Sequence, residues 1–475
     1  CLARRAVPTV TSSPSVPPGT STTGQARCMQ QYAREPEYLT ALADGTLKQL
    51  NPFTGTEVWT VPGRGNRPLG LAHPDPRPLD SDAVGATCAF CEDRYDETPP
   101  EKSRIVATDH GHGHGHETLY GVPAAQMFDT VAEFRRVPNL FEILSYEYWH
   151  ANYGYTLPVR VAERRRAYLA SAQGRAHVLR VIDAKLRAAG RSSSQIAALS
   201  EEERIDAASG FFGGGHDLII ARYHYVPGAT DDSQLAGSGT LSVADHRLFL
   251  DATLEAVEGL YDLNRYARYV TVFQNWLKPA GASFDHLHKQ LVAIDERGVQ
   301  NEATLAKLRI NPNLFNEVAS NYASYRNLMI AENDHALAFA GFGHRYPTIE
   351  VFSKSEHSFP WEHTRDERDA MSDLIHAMHA ATGADIPSNE EWHYRPLDVE
   401  APMPWRVMLK WRISTLAGFE GATKIYLNTL TPQSLRDRVV ERLFALRNQG
   451  RVAPDLKIAF EAPCRPNALR YASGR

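Results

Sequence analysis

The 475-residue chain lacks long apolar runs, has few cysteines and carries little excess of charge of either sign. No run approaches the roughly 18–20 apolar residues of a membrane span, and the N-terminus lacks the apolar core of a signal peptide. Five cysteines in so long a chain do not form a disulfide framework, which indicates a reducing, cytoplasmic environment. The net charge of -5 gives no reason to expect a nucleic-acid partner.

The remaining composition is ordinary for a globular protein, with 43% hydrophobic and 23% charged residues. The length predicts two lobes or a duplicated domain. Residues 1–36 are rich in Ser, Thr, Pro and Gly and predict a disordered leader. We expect a first half over residues 37–298, with an insertion at about 160–240. A second half over 299–448 and a tail over 449–475 would follow.

The most informative stretch of the first half reads TVFQNWLKPAGASFDHLHKQLV and ends in the pattern H-x-H-x-Q. It predicts a strand, a Gly/Ser turn and a second strand that carries His286, His288 and Gln290. Alternate strand residues share a face, so two imidazoles and an amide point at one surface. The turn offers N–H donors to a phosphorylated ligand, and the strand offers a nucleophile. Such histidine pairs also arise by chance, most often as surface residues.

Two further motifs precede this stretch. Cys88 and Cys91 form C-x-x-C, which is half of a tetrahedral zinc site. No second C-x-x-C exists, so the other ligands must be histidines; a thioredoxin-like redox pair is the rival, without a supporting βαβ pattern. Arg64 and Arg67 lie in a Gly/Pro loop and suit a diphosphate, although isolated arginines are more often solvated surface residues.

The second half repeats the outline of the first. Phe141–His150 is predicted to be a strand that ends at His150, and Ile349–His357 echoes it. A helix over Thr364–Ala380 begins with a Thr364/Glu367 capping box. Pro404–Ile413 then stands where the histidine strand would recur, but it contains no H-x-H. We therefore predict a strand–helix–strand duplication whose second half is degenerate.

In this combination and order the motifs resemble the galactose-1-phosphate uridylyltransferase family, the transferase branch of the histidine-triad superfamily. The resemblance covers roughly residues 44–447 apart from the insertion. It implies an α+β fold: a duplicated histidine-triad-like fold with an antiparallel sheet and flanking helices. It also implies one structural Zn²⁺ bound by Cys88, Cys91, His150 and His286. By the same resemblance His288 is the nucleophile, assisted by Gln290 and Ser283, and the substrate-binding residues are Arg64, Arg67, Asn275, Gly281, Gly418, Glu420 and Lys424.

The implied activity is nucleotidyl transfer between a nucleoside diphosphate sugar and a sugar 1-phosphate through a nucleotidyl-histidine intermediate, as in galactose metabolism. The implied partners are a nucleotide sugar and a phosphorylated acceptor, and the implied assembly is a homodimer. Leu287 and Lys289 stand where the family motif has Pro and Gly. Dinucleotide polyphosphate phosphorylases or hydrolases of this fold tolerate other residues at these two positions. A phosphorylase or hydrolase activity on dinucleotide polyphosphates is therefore an alternative. A zinc-stabilised nucleotide-binding protein without turnover is the remaining alternative.

Overall fold

The computed structural model of the chain describes residues 37–63, 75–110 and 113–472. The expected leader over 1–36 and the two loop arginines, Arg64 and Arg67, lie outside the described residues. Among the described helices, none combines the length and the apolar character that crossing a bilayer requires.

The described chain contains sixteen strands. In chain order they are β1 (Leu39–Ala41), β2 (Leu47–Leu50), β3 (Glu57–Thr60), β4 (Ser103–His110), β5 (Gly113–Tyr120), β6 (Ala132–Pro138), β7 (His216–Ala221), β8 (Tyr269–Trp276), β9 (His288–Ile294), β10 (Met329–Glu332), β11 (Ala336–Ala340), β12 (Thr348–Ser353), β13 (Ser388–His393), β14 (Arg406–Trp411), β15 (Ile425–Leu427) and β16 (Lys457–Ile458).

The α-helices of the described residues fall between these strands in chain order. They are α1 (Tyr146–Tyr153), α2 (Val159–Ala170), α3 (Ala172–Ala188), α4 (Ser193–Ala197), α5 (Glu201–Ala207), α6 (Gly210–Gly213), α7 (Val243–Leu263), α8 (Val299–Leu308), α9 (Ala323–Tyr325), α10 (Arg365–Thr382), α11 (Gly418–Thr423) and α12 (Pro432–Asn448).

Twelve strands form one sheet whose order reveals the duplication. The order is β16-β10-β11-β12-β14-β13-β8-β9-β7-β6-β4-β5, and all neighbours are antiparallel. Four strands of the first half, β6-β7-β9-β8, and four of the second half, β11-β12-β14-β13, have the same spatial order when each set is followed toward the centre of the sheet. In each set a long helix follows the second strand in the sequence: α7 follows β7, and α10 follows β12. The two halves meet where β8 pairs with β13. The predicted α+β duplicated fold is confirmed.

The register identifies equivalent positions in the two halves. His288 on β9 pairs with Ile220 on β7, and Arg406 on β14 pairs with Phe352 on β12. Two residues further along, Gln290 corresponds in the same way to Met408. The second half thus carries a guanidinium and a thioether where the first carries an imidazole and an amide, which confirms that it is degenerate.

The two faces of the sheet have different surroundings. Helices α7 and α10 pack against each other and against the strands on the rear face. Their apolar residues, including Leu254, Val257, Leu374 and Met378, are buried in the main core. Each large side chain so buried contributes roughly 1.5–3 kcal/mol to stability. The front face carries His288 and Gln290. A separate sheet, β1-β2-β3-β15, contains the parallel pair β3–β15.

The structure differs from the sequence-based prediction in two segments, the strand predicted before His150 and the insertion predicted at 160–240. Residues Tyr146–Tyr153, which overlap the predicted strand Phe141–His150, form helix α1. The Ser145 side chain caps its N-terminus and Gly154 ends it with φ of 65°, and these signals outweigh the strand propensity of the aromatic residues. The expected insertion at 160–240 contains α2 to α6, but it also contains β7, a central strand of the sheet.

Candidate active site

The centre of the site is His288, the first residue of β9. Its side chain is only 4% exposed. The Nδ1–H donates to the backbone oxygen of His286 at 2.8 Å, so Nε2 carries the free lone pair. Burial lowers the pKa of His288 to about 4, because desolvation disfavours the imidazolium. The ring is therefore neutral at pH 7 and held in the tautomer that an attack through Nε2 requires.

Gln290 lies on the same face as His288 and is held by a residue that the sequence did not single out. Its Oε1 lies 3.2 Å from Nε2 of His216 on β7. His216 is 1% exposed, and its Nδ1 accepts from the backbone N–H of Ile143 at 3.3 Å. Nδ2 of Asn139 lies 3.0 Å from the same Nε2, so this nitrogen of His216 lies between the side-chain amides of Asn139 and Gln290. The amide N–H groups of Gln290 remain available for an acceptor such as a phosphoryl oxygen.

Asn275 lies near the end of β8, and Gly281 and Ser283 lie in the turn that connects β8 to β9. Phe273 pairs with Gln290 on β9, which places Asn275, two residues on, on the same face. The turn begins at Leu277 with φ of 65° and closes at Gly281 with φ of 89°. Non-glycine residues rarely adopt such a φ, and strained backbone of this kind clusters at functional sites. Ser283 is exposed at the mouth of the turn.

Beside this strand the structure gathers Cys88, Cys91, His224 and His286, whose ligand atoms all lie within 4.8 Å of one another. The two Sγ atoms are 3.8 Å apart, and His286 Nδ1 lies 3.5 Å and 3.7 Å from them. His224 Nδ1 lies 3.7 Å from Sγ of Cys91. A tetrahedral zinc ion with ordinary bond lengths requires S–S and S–N separations of about 3.8 and 3.6 Å. The donor set and its spacing fit a metal ion.

The surroundings of this cluster support the same conclusion. His286 is 1% exposed, and its Nε2–H donates to the backbone oxygen of Ala221 at 2.7 Å, which turns Nδ1 toward the sulfurs. Hydrogen bonds, first from Cys88 and then from His224 and His286, lower the pKa of the Cys91 thiol. Between the cysteines, the ring of Phe90 lies 5.2 Å from the ring of His288. The cluster therefore adjoins the strand that presents His288.

His150 is not part of this cluster, and His224 replaces it in the candidate ligand set. His150 lies on α1, where its Nδ1 donates to the backbone oxygen of Tyr155 at 2.8 Å and its ring stacks on Tyr146. The resemblance supplied His150 because Thr156-Leu157-Pro158 follow it in the sequence. The fold instead brings in His224 from the segment after β7, which is the strand next to β9.

The expected sugar-phosphate segment forms α11 and its C-terminus. Glu420 is buried, and its carboxylate accepts from the backbone N–H of Ala417 at 3.1 Å as part of a helix cap. Gly418 begins the helix, and Lys424 follows it in a left-handed conformation with φ of 59°. Among the described residues no hydrogen bond joins these three to His288. Of the predicted site, the structure thus gathers Cys88, Cys91 and His286 in one cluster and places His288, Gln290 and Asn275 on one face of the sheet, with Gly281 and Ser283 in the turn before β9.

His224 and His216 are the site residues that the sequence analysis missed. His224 belongs to no spaced motif, and its only signal is that a C-x-x-C half-site needs two histidines. His216 begins an apolar strand, so a search for alternating faces around β9 would have found it. Asn389, from the second half, was also missed. It donates to Asn275 Oδ1 at 2.7 Å and to the backbone oxygen of Ala280 at 2.8 Å.

Comparisons with known proteins agree with the architecture. A family described as a domain of unknown function (DUF4921) matches residues 42–471. The curated ADP-glucose phosphorylase of Arabidopsis thaliana is 27% identical over 178 residues, which are 35% of this chain and 50% of that protein. The chain thus spans about half the length of this curated relative.

Two solved structures from Arabidopsis thaliana have a similar fold. The crystal structure of an ADP-glucose phosphorylase with bound ADP-glucose matches with a TM-score of 0.52 at 18% identity, covering 83% of this chain and 98% of that one. A GalT-like protein matches with a TM-score of 0.51 at 17% identity and the same coverage of 83% and 98%. At these identities the similarity shows the fold.

Proposed function

We propose that this chain, which belongs to the DUF4921 family of unknown function, is a nucleotidyltransferase that acts on a nucleoside diphosphate sugar. The single observation that carries the proposal is the presentation of His288. Its Nδ1–H is held by the backbone oxygen of His286 at 2.8 Å, and its Nε2 is free on the face that Gln290 shares. The match to an ADP-glucose phosphorylase supports the substrate class.

The reaction would proceed in two displacements at phosphorus. The Nε2 lone pair of His288 attacks the α-phosphorus, the bond to the β-phosphate oxygen breaks, and the sugar 1-phosphate leaves with that electron pair. A phosphate oxygen of the acceptor then attacks the same phosphorus and releases the imidazole. The Gln290 amide and the N–H groups of the Gly281 turn would stabilise charge on the phosphoryl oxygens. Gln290 supplies no acid or base, so transfer is favoured over hydrolysis.

The acceptor separates the two candidate reactions on this site. A sugar 1-phosphate acceptor gives the uridylyltransferase-like reaction, and inorganic phosphate gives a phosphorylase. The relative named as a phosphorylase supports phosphate as a second candidate. Cys88, Cys91, His224 and His286 would hold a zinc ion, whose chemistry there would be structural because four protein ligands leave no open position.

The test is covalent labelling with ADP-glucose and UDP-glucose that carry radioactive phosphorus at the α-position. We expect acid-labile label on the wild-type protein and none on His288→Ala. His150→Ala is the matched control, because it also removes a histidine but lies outside the cluster. Equal labelling of His288→Ala and wild type would contradict the proposal. Nucleotide binding without any label would favour the non-catalytic binding protein.

Chase experiments then identify the acceptor. Labelled wild-type protein is mixed with glucose 1-phosphate, galactose 1-phosphate, inorganic phosphate or water alone. Release of a labelled nucleotide sugar indicates the transferase, whereas release of labelled nucleoside diphosphate by phosphate indicates the phosphorylase. Gel filtration of the same sample tests the homodimer that the resemblance implies.

A further inference from the structure

A cavity of about 480 Å³ lies where the two halves of the sheet meet. Its first-half wall is formed by Thr271, Phe273 and Asn275 on β8, and its second-half wall by Asn389, Glu391 and His393 on β13. The register pairs Phe273 with Glu391 and Asn275 with Asn389 across this junction. A cavity of this size is within the range that accommodates small-molecule ligands.

The cavity offers polar groups that the protein itself leaves without partners. The Nε atom of Arg412 and the Oδ1 atom of Asn301 are buried and have no hydrogen-bond partner, and the nearest acidic group to Nε2 of His393 is Glu391 Oε2 at 3.6 Å, beyond hydrogen-bond distance. In the described part of the chain no carboxylate lies within ion-pair distance of Arg412. Buried polar groups are normally paired, so these groups indicate a missing polar ligand.

The charges of the cavity differ from one part to another. Arg412 supplies an uncompensated guanidinium, which suits a phosphate. Glu391 is held as a carboxylate by Lys410 at 2.6 Å, which keeps its pKa well below its usual range, and a carboxylate is a suitable acceptor for the hydroxyl groups of a sugar. The rings of Tyr269 and Phe273 also line the cavity and give an apolar surface against which a sugar ring can pack.

A hydrogen-bonded chain connects the cavity to the catalytic turn. Arg412 donates to Asn389 Oδ1 at 2.7 Å. Asn389 in turn donates to Asn275 Oδ1 at 2.7 Å and to the backbone oxygen of Ala280 at 2.8 Å. Asn275 shares its face with Gln290, on the strand of His288. A ligand in this cavity would therefore lie beside the reacting centre.

We propose that this junction cavity binds the sugar phosphate that leaves or accepts the nucleotide, with its phosphate on Arg412 and its hydroxyl groups on Glu391, His393 and Asn301. The inference rests on the proposed nucleotidyl transfer and assigns its second substrate to residues of the degenerate half. It differs from the expectation that the segment with Gly418, Glu420 and Lys424 holds that substrate.

The test is calorimetric titration of glucose 1-phosphate into His288→Ala protein, which cannot turn over. Glucose and inorganic phosphate are titrated separately, and we expect both to bind more weakly than glucose 1-phosphate because each fills only part of the cavity. Arg412→Gln should weaken glucose 1-phosphate binding by at least about tenfold, since it removes a charge-assisted contact. Arg345→Gln is the matched control, because Arg345 lies over the same Tyr346 ring but does not line this cavity.

A second variant keeps the test independent of the hydrogen bond from Arg412 to Asn389. Thr271→Phe fills the cavity and should also weaken glucose 1-phosphate binding by at least about tenfold. Thermal unfolding is used to verify that both variants fold.

Unchanged binding in both variants, no binding to the parent protein, or a loss confined to Lys424→Ala would overturn the inference. If wild type is labelled at His288 but these variants bind normally, only this inference fails. If they lose binding while wild type is never labelled, the cavity stands and the proposed transfer fails.

Discussion

Replacing His224 by alanine tests the metal site most directly, because His224 is the ligand that the structure supplies in place of His150. The variant removes one of the four ligand atoms that lie within 4.8 Å of one another. We expect wild-type protein to bind about one zinc ion per chain and His224→Ala to bind substantially less. His150→Ala should keep its zinc, since that residue interacts with Tyr155 and Tyr146 instead.

The loss of stability in His224→Ala can be calculated from the length of the loop that the metal closes. His224 and Cys91 are 133 residues apart in sequence. The chain-entropy relation for a cross-link over such a loop gives about 5 kcal/mol as an upper value, and measured cross-links give about 2–5. With the unfolding entropy of a chain of this size, that range lowers Tm by about 2–5 °C. The same change should appear when a chelator removes zinc from the wild type.

The assays are elemental analysis of the purified proteins and thermal unfolding with and without chelator. Chelator treatment of each variant gives the internal control. Chelator should lower Tm of the wild type and of His150→Ala, but it should have little further effect on Tm of His224→Ala. The reasoning is refuted if His224→Ala keeps a full zinc ion and wild-type stability while His150→Ala loses both.

Three further predictions concern a buried ion pair, two buried histidines and the turn before β9. Lys289→Ala should cost about 3–5 kcal/mol in urea denaturation, because it removes the ammonium group that lies 2.5 Å from the buried carboxylate of Glu390 and leaves that carboxylate only its contacts with His379 and Trp392; a cost below about 1 kcal/mol would contradict this. Burial lowers the pKa values of His216 and His376 to about 4, so the unfolded chain binds protons first and stability should fall as pH drops from 6.5 to 4; a flat urea midpoint over that interval would contradict it. Gly281→Ala should lower the rate of labelling and cost about 1 kcal/mol, because φ at this position is 89°; unchanged labelling would show that the turn tolerates a side chain.

Much of the fold followed from the sequence where a pattern determines its own geometry. The H-x-H-x-Q stretch forms a strand with His288 and Gln290 on one face, as period-two alternation requires. The capping box at Thr364 begins a helix, as predicted, because both of its hydrogen bonds are local. By contrast, residues Tyr146–Tyr153 form a helix despite their aromatic content, since Ser145 and Gly154 fix its two ends.

The part of the site that the sequence did not predict depends on strand order. His224 becomes a candidate ligand only because β7 lies next to β9, and sequence separation alone does not indicate this neighbour relation. His216 supports Gln290 for the same reason, from a paired position near the other end of β7. Local patterns and the resemblance thus identified the proposed nucleophile and three of the four candidate metal ligands, whereas His224 and the supporting residues required the topology.

The topology also explains why a half without the histidine motif can still be essential. On the rear face, Lys289 of β9 pairs with Glu390 of β13 at 2.5 Å. On the front face, Asn389 of β13 donates to Asn275 of β8. Both faces of the catalytic hairpin are therefore held by consecutive residues of one strand from the degenerate half. Arg406 on β14 stands at the position equivalent to His288 and takes no part in these contacts, so a second half without a histidine there can still position the hairpin that carries His288.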